Sequence, residues 1–478
     1  MVDGVRVVSA VRAFMDKHPE AQVFLAMDNS ADGEALAALL VRFAGLSQAK
    51  RMRLDVFTPT NLARALRDPS VLNGGVVCAR EVRRVIDRLV DHHASRFYAR
   101  TADQVGHDDL SFQGLAILGL LAERAQRLHS RRLMPQYTVE LDLGGWTACS
   151  WVPTMPAGSP SFMAPNSWYD LDGHDVATLD DRTAELAAKQ RDLLVMGSDT
   201  RCVLMSPPSP ITSTNVYLEA CRAFGWLPHR TAAALQGLFL GDEALGGLIN
   251  CPHALEAVAR PLRPLESGRL VDLSDQDQLL LYQLIRVRWL CSQMEPAQCE
   301  IQRIELADVS GRHRFFAEHR QVLDQGWMAA PWPQLDAARA QAIPANLVTQ
   351  RLPQLGKGSF VRALDSSCHT VEGFDVEPYL LHQLLARLTE LGVGAGDLLA
   401  PVLRRMIAVG WVVVAADGSV HCSRAAEDFC AAIYPRFRIS NLGYLIELEA
   451  ALCRVASGAI DGPSLVRRVW EQLEADTA

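Results

Sequence analysis

The spacing of apolar residues along this chain changes several times, and each change predicts an element. Val5 to Val8 is a short β-branched run that reads as a buried strand, and Ala10 to Lys17 reads as a helix. Gln22 to Met27 predicts a second strand, ending at Asp28. Glu34 to Phe43 predicts a second helix, with Gly45 as its stop signal. Met52 to Phe57 predicts a third strand. Strand, helix, strand, helix, strand is the order of a small parallel α/β unit. Such sheets place ligands at the C-terminal ends of their strands. Here that end is acidic.

From Pro59 to Arg132 the spacing is helical: Val82, Val85, Ile86 and Leu89 share a face, as do Leu115, Leu118 and Leu121. Tyr137 to Leu143 and Trp146 to Val152 alternate around Gly144-Gly145, which predicts a hairpin. Pro153 to Gly173 has loop composition. A helix from Asp181 to Asp192 and a strand from Arg201 to Met205 follow. Residues Asn215 to Arg288 read as helical with a break from Gly241 to Pro252. Glu300 to Asp308 and Arg312 to Glu318 read as strands, and Ala337 to Gln341 as a short link. The remainder from Glu377 is mostly helical, with a hairpin from Val412 to His421 around Asp417-Gly418.

Length and charge narrow the picture. A chain of 478 residues exceeds one compact core, so several subdomains are expected. No apolar run approaches the roughly 20 residues of a membrane helix. The start, Met1-Val2-Asp3-Gly4, lacks the basic and apolar regions of a secretory signal, so the cytoplasm is the expected compartment, with no membrane partner. The eleven cysteines include no Cys-x-x-Cys pair, which argues against zinc ribbons. Net charge is −8, which gives no support to sequence-independent DNA binding, a process driven by Lys and Arg on phosphates. Arg51, Arg53, Arg80, Arg83, Arg84 and Arg88 form the densest basic region, readable either as a binding face or as solvated helix surface.

Several stretches, in order, carry a resemblance. Pro207-Pro208-Ser209-Pro210-Ile211-Thr212-Ser213-Thr214 is followed by Glu219-Ala220, Phe224-Gly225 and His229-Arg230-Thr231. Then come Gly247-Leu248-Ile249-Asn250-Cys251-Pro252-His253, Ser292-Gln293-Met294-Glu295-Pro296-Ala297, and Glu390-Leu391-Gly392-Val393-Gly394 through Gly410-Trp411-Val412. Near the start lies Leu25-Ala26-Met27-Asp28-Asn29-Ser30-Ala31-Asp32-Gly33-Glu34-Ala35. Together these resemble the type IA DNA topoisomerases, across nearly the whole chain. The first block is similar to that family's Thr-Ser-Thr motif, and the last to its Toprim acidic motif.

The resemblance implies a fold class of α/β plus α+β: a Toprim-like α/β domain, and a toroid of helical domains joined by a β-rich arch. It places a reduced Toprim-like domain at 1–58. A discontinuous helical domain takes 59–135 and 346–478, the arch 136–205 and 296–345, and the former catalytic helical domain 206–295.

It also shows what has changed. Type IA cleavage uses a tyrosine that attacks phosphorus and stays attached to DNA, cations that stabilise the phosphoryl oxygens, and a carboxylate cluster for magnesium. The tyrosine position holds Cys251, with His253 close by, and the family's supporting arginine is missing. A cysteine attacks only as thiolate, which His253 or His229 could promote; the plainer reading is a thiol packed where the tyrosine was. Tyr217, the nearest tyrosine in the order of motifs, matches a polar family position. The acidic pattern falls on Asp28, Ser30 and Asp32, then Glu34, with one aspartate replaced by a hydroxyl and the strand-one glutamate missing near Val8-Ser9. Asp28, Asp32 and Glu34 make at most a weak magnesium site, and the alternative job for Asp32 is capping the helix that follows.

Strand-gripping positions are eroded too. The family's Gly-Arg-Val-Gln run falls on Leu110-Ser111-Phe112-Gln113, and its Gly-Ile-Gly-Arg-Pro-Ser run on Gly392 to Asp397. Remaining contacts to nucleic acid would come from Arg230, Gln113, Arg83, Arg84, Arg222, Arg80, Thr212, Ser213 and Thr214. For Arg230 the competing role is an ion pair between helices. The expectation is a topoisomerase-like protein without strand cleavage, a scaffold or partner subunit with weak single-stranded DNA binding and a protein partner. Three other readings stay open: an active topoisomerase with an unorthodox site, a Toprim-type magnesium nuclease, and a protein-interaction module without nucleic acid.

Overall fold

The computed structural model describes residues 2–27, 29–99, 111–151, 179–241, 246–252, 260–266, 273–330, 351–374, 376–394, 396–434 and 437–477. The predicted loop at Pro153–Gly173 and link at Ala337–Gln341 lie outside them. The chain forms two compact units. One comprises Met1–His129, Ile211–Ile285 and Pro378–Ala478; the other comprises Ser130–Pro210 and Arg286–Glu377.

The first unit begins with a correction. Val5 to Val8 is not a strand but part of helix α1, Val2–Lys17. A four-residue apolar run fits either element, and here the longer pattern decides: Val8, Val11 and Met15 lie on one helical face against Leu25, Ala37, Ala44 and Leu46. Strand β1 (Phe24–Leu25) pairs in parallel with β2 (Lys50–Arg51). Helix α2, Ala31–Ala44, joins them and ends at Gly45, whose φ of 72° suits a residue without Cβ. The third strand expected at Met52 to Phe57 stops short: the register of β1 with β2 ends at Arg51. The backbone beyond it serves residues 247–251 instead, with Gly247 N–H donating to Phe57 O (3.2 Å) and Cys251 N–H to Asp55 O (2.6 Å).

The helical reading of Pro59 to Arg132 resolves into α3 (Pro59–Arg67), α4 (Gly74–Ala99) and α5 (Phe112–His129). The predicted helical stretch from Asn215 becomes α7 (Val216–Phe224), α8 (Pro228–Leu240) and α9 (Gln276–Ser292). Toward the C-terminus come α10 (Leu381–Glu390), α11 (Gly396–Ala408), α12 (Arg424–Ile433), α13 (Leu442–Ala456) and α14 (Gly462–Thr477). The hairpin predicted around Asp417-Gly418 is present as β10 (Val412–Val414) and β11 (Ser419–Cys422). One apolar core joins α4 and α5 to the C-terminal helices, including Ile86 and Val90 of α4, Leu115 and Leu118 of α5, Leu388 of α10, Phe429 of α12 and Leu448 of α13.

The second unit is built on a seven-stranded sheet. Its strands are β3 (Leu133–Asp142), β4 (Thr147–Trp151), β5 (Asp192–Met205), β6 (Ala297–Asp308), β7 (Arg314–Asp324), β8 (Phe360–Arg362) and β9 (Asp365–Phe374). The order is β8-β5-β6-β7-β4-β3-β9, with every pairing antiparallel. The hairpin at Gly144-Gly145 is where alternation placed it, with Glu140 opposite Cys149. The strand expected at Arg201 starts at Asp192, because the helix before it, α6 (Asp181–Ala188), is shorter than predicted. Inward residues such as Val139, Leu141, Leu193, Val195, Ile304, Leu306 and Phe315 form a second core. Among the described residues no helix is long and apolar enough to cross a membrane.

Candidate active site

The acidic motif lies at the start of α2. Ser30 is its N-cap, with φ −133°, ψ 167° and a hydroxyl that accepts from Gly33 N–H at 3.0 Å. Capping therefore falls to Ser30 and not to Asp32. Asp32 lies in the first turn, where the helix dipole favours an anion. Its carboxylate takes two hydrogen bonds from Arg80 of α4, Nε to Oδ1 at 2.5 Å and Nη2 to Oδ2 at 2.8 Å, and Arg84 stands 3.9 Å away.

Glu34 points the other way and is fully buried. Arg51 Nε donates to its Oε1 at 2.9 Å and the Asn73 N–H to its Oε2 at 2.8 Å, with Arg53 3.4 Å from Oε1. Arg51 is itself buried and donates to the carbonyls of Leu25 and Met52. Burial alone would raise the Glu34 carboxyl, but the Asn73 amide and the Arg51 and Arg53 charges outweigh it and hold it below its ordinary value.

Asp55, which the sequence did not single out, joins the acidic loop to the cysteine. Asn29 Nδ2 donates to Asp55 Oδ1 at 3.1 Å, Arg260 Nη1 donates to the same oxygen at 3.1 Å, and Cys251 N–H donates to the Asp55 carbonyl. Asn29 is buried, and its Oδ1 has no hydrogen-bond partner among the described residues. Cys251 is 2% exposed. Asn250 fixes the segment from the other side, with Nδ2 donating to Pro261 O and Oδ1 accepting from Arg263 N–H. His253 and Asp28 lie outside the described residues. None of the eleven cysteines forms a disulfide.

The Thr-Ser-Thr stretch is held by the same strap. Ser213 N–H donates to Arg260 O at 2.9 Å and Leu262 N–H to Ile211 O at 2.7 Å. Thr212 Oγ1 accepts from Asn215 N–H at 3.1 Å, and Thr214 is partly buried beside it. Tyr217 is 3% exposed, and a Cβ at Gly396 would overlap its ring. It is a packing residue between α7 and α11.

The arginines proposed for phosphate contact have protein partners. Arg83 grips Glu449 of α13 with both terminal nitrogens, Nη1 to Oε1 at 2.8 Å, and lies over the Phe112 ring at 4.9 Å. Gln113 reaches the same Oε1 at 3.4 Å. All three polar side chains are buried. Arg230 grips Asp277 of α9, Nε to Oδ2 at 2.6 Å and Nη2 to Oδ1 at 2.7 Å, and lies over the Trp226 ring. The ion-pair role that competed with DNA contact at Arg230 is the one the geometry displays. Arg222 stands beside His382, whose imidazole is held below its ordinary value by burial and by that charge. Arg404 adds to burial at His229 in the same way.

Magnesium of the kind the resemblance implies keeps several waters and binds through one or two carboxylates. The residues fit it poorly. Among the described residues no group of three metal-ligating side chains occurs. Both oxygens of Asp32 and both of Glu34 already receive N–H donors.

Comparison with known proteins matches this arrangement to one group. A family profile described as DNA topoisomerase matches residues 259–467, beginning beyond Cys251. The plasmid DNA topoisomerase I of Xylella fastidiosa is 22% identical, over 95% of this chain and 72% of its own length. DNA topoisomerase 1 of Mycolicibacterium smegmatis is 24% identical, over 82% of this chain and 47% of its own. Full-length topoisomerase I from Thermotoga maritima superposes with a TM-score of 0.76 at 18% identity, covering 98% of this chain and 80% of that one. The chain is similar to the type IA DNA topoisomerases in sequence and in fold. It spans less than half the length of the Mycolicibacterium relative.

Sequence reasoning missed Asp55, Asn29, Arg260, Asp277 and Glu449. Each is one half of a pair whose halves lie tens to hundreds of residues apart, and a single sequence carries no signal for such pairs. Asn29 alone stood within a motif already quoted.

Proposed function

We propose that this chain is a type IA topoisomerase-like protein that has lost strand cleavage and works as a scaffold or partner subunit, with weak binding to single-stranded DNA. Cys251 carries the reading. By the resemblance it falls at the nucleophile position, and it is 2% exposed, with its backbone tied to Asp55 and the carboxylate of Asp55 tied to Arg260. A nucleophile that attacks a DNA phosphate needs an open approach and a nearby cation to receive the charge. The cation nearest in this network, Arg260, already holds a carboxylate.

The finer architecture belongs to the same proposal. It has a reduced Toprim-like domain at 1–58, a helical domain at 59–135 and 346–478, a β-rich arch at 136–205 and 296–345, and a former catalytic domain at 206–295, arranged as a toroid. The antiparallel sheet within residues 133–374 and the acidic motif at the head of α2 support it. The proposed compartment is the cytoplasm and the partner is a protein. The remaining DNA affinity rests on arginine–phosphate contacts and is therefore salt-sensitive and indifferent to sequence.

A second reading, a protein-interaction module without nucleic acid, is favoured by the engagement of Arg83 with Glu449 and of Arg230 with Asp277. Two measurements separate these readings. The first incubates purified protein with negatively supercoiled plasmid and magnesium; the expected product is unchanged plasmid. Relaxed topoisomers would reinstate an active topoisomerase with an unorthodox site. Accumulating nicked circles would point to a nuclease using Asp28, Asp32 and Glu34. The second titrates a labelled single strand at low salt, where weak, salt-sensitive binding supports the proposal and no binding selects the protein-only module.

A further inference from the structure

Both described carboxylates of the acidic motif meet guanidinium groups. Asp32 receives two nitrogens of Arg80, with Arg84 at 3.9 Å. Glu34 receives Arg51 at 2.9 Å and has Arg53 at 3.4 Å. We propose that arginine has replaced the divalent cation in this motif, so that Asp32 and Glu34 form a metal-independent latch joining α2 to β2 and α4.

A carboxylate keeps its charge in a crowded site when a cation stands beside it. A magnesium ion solves this with a compact, hydrated charge that needs near-octahedral oxygens. A guanidinium solves it with a planar fork of donors that matches both oxygens of one carboxylate and never loses its proton. The geometry at Asp32 is the second kind, since Nε and Nη2 of one arginine address Oδ1 and Oδ2 separately. At Glu34 the replacement is buried: the carboxylate is 0% exposed, Arg51 is 1% exposed, and the Asn73 N–H takes the second oxygen. A metal arriving with its waters would have to displace a buried ion pair, which costs far more than an exposed one. Ser30, where the family pattern has a carboxylate, is used as the helix cap.

The latch also removes Arg80 from service as a phosphate-binding group. It rests on these ion pairs and not on the loss of cleavage. Its test needs no DNA, so the two ideas can fail separately.

The full-length chain is titrated with manganese(II), read by its electron paramagnetic resonance signal, and melted in EDTA and in millimolar magnesium. The latch predicts no stoichiometric manganese binding and the same melting midpoint in both buffers. Asp32→Asn, at a half-exposed site where folding is safe, lowers the midpoint by roughly 1–2 °C, equally with and without magnesium. The Arg80→Gln/Arg84→Gln double variant does the same. One manganese bound per chain and lost in Asp32→Asn or Glu34→Gln would overturn the proposal. So would a magnesium-dependent rise in midpoint that Asp32→Asn abolishes.

Discussion

Arg230 and Asp277 hold each other by two hydrogen bonds, of 2.6 and 2.7 Å, that link the first turn of α8 to the first turn of α9. The pair draws the Asp277 carboxyl below its ordinary value, chiefly through the hydrogen bond from Arg230. A guanidinium in this state must release its carboxylate before it can take a phosphate. Asp277→Asn is therefore expected to strengthen single-strand binding at low salt, whereas Arg230→Ala changes it little. The pair is about half exposed on the arginine side, so breaking it costs roughly 0.5–1 kcal/mol. Fluorescence titration of both variants checks the affinity, and urea denaturation checks the stability.

The buried counterpart is Arg83 with Glu449. Removing one partner leaves the other charged and dry, a loss of about 3–5 kcal/mol. Glu449→Ala should therefore unfold far more readily than Asp277→Ala. Arg83→Ala should be destabilised to a similar degree, and not merely weakened in DNA binding. Chemical denaturation curves for the three variants would contradict this if they coincided.

Two carboxyls give stability opposite slopes with pH. Glu34 is held below its ordinary value, so its ion pair contributes fully above about 4.5 and is lost as pH falls through the lower folded value. Asp87 is pushed up to about 6, by burial foremost, although it accepts from Phe112 N–H and faces Arg83 and Arg80, with Glu449 adding repulsion. A raised carboxyl works in the reverse sense: the folded state holds its proton better, so stability falls as pH rises from about 4 to about 6. Asp87→Asn should flatten that part of the profile. Melting midpoints at closely spaced pH values, for wild type and Asp87→Asn, read the difference directly.

Tyr217 offers a check on the proposed absence of a substitute nucleophile. Its ring fills the space that a Cβ at Gly396 would need. Gly396→Ala is expected to lower stability through overpacking, on the order of 1–3 kcal/mol. Tyr217→Phe keeps the ring and should be close to neutral in stability and DNA binding. A selective loss of DNA chemistry in Tyr217→Phe would make it a reactive group after all.

What the sequence revealed and what it hid follow the range of the interactions. The hairpins at Gly144-Gly145 and Asp417-Gly418 were legible because turn and alternation lie within a few residues of one another. Helix α2 was legible from its apolar face and Gly45. Helix α1 was misread because Val5 to Val8 fits a strand when taken alone; the deciding contact, Met15 with the core around Leu25, lies further along. At the site, Cys251 was visible in one line of sequence. Its connection to Asn29 through Asp55 was not, because that depends on backbone hydrogen bonds across nearly 200 residues. The neutralisation of Asp32 by Arg80 was hidden for the same reason, although both residues had been singled out separately.

The proposed loss of cleavage is tested most directly by trapping. The protein is incubated with an end-labelled single-stranded oligonucleotide, with and without magnesium, then denatured with detergent and alkali-free buffer and resolved by electrophoresis. Wild type and Cys251→Ser are predicted to give the same lanes, with all label at the position of free oligonucleotide. Label migrating with the protein in the wild type, and disappearing in Cys251→Ser, would contradict the account.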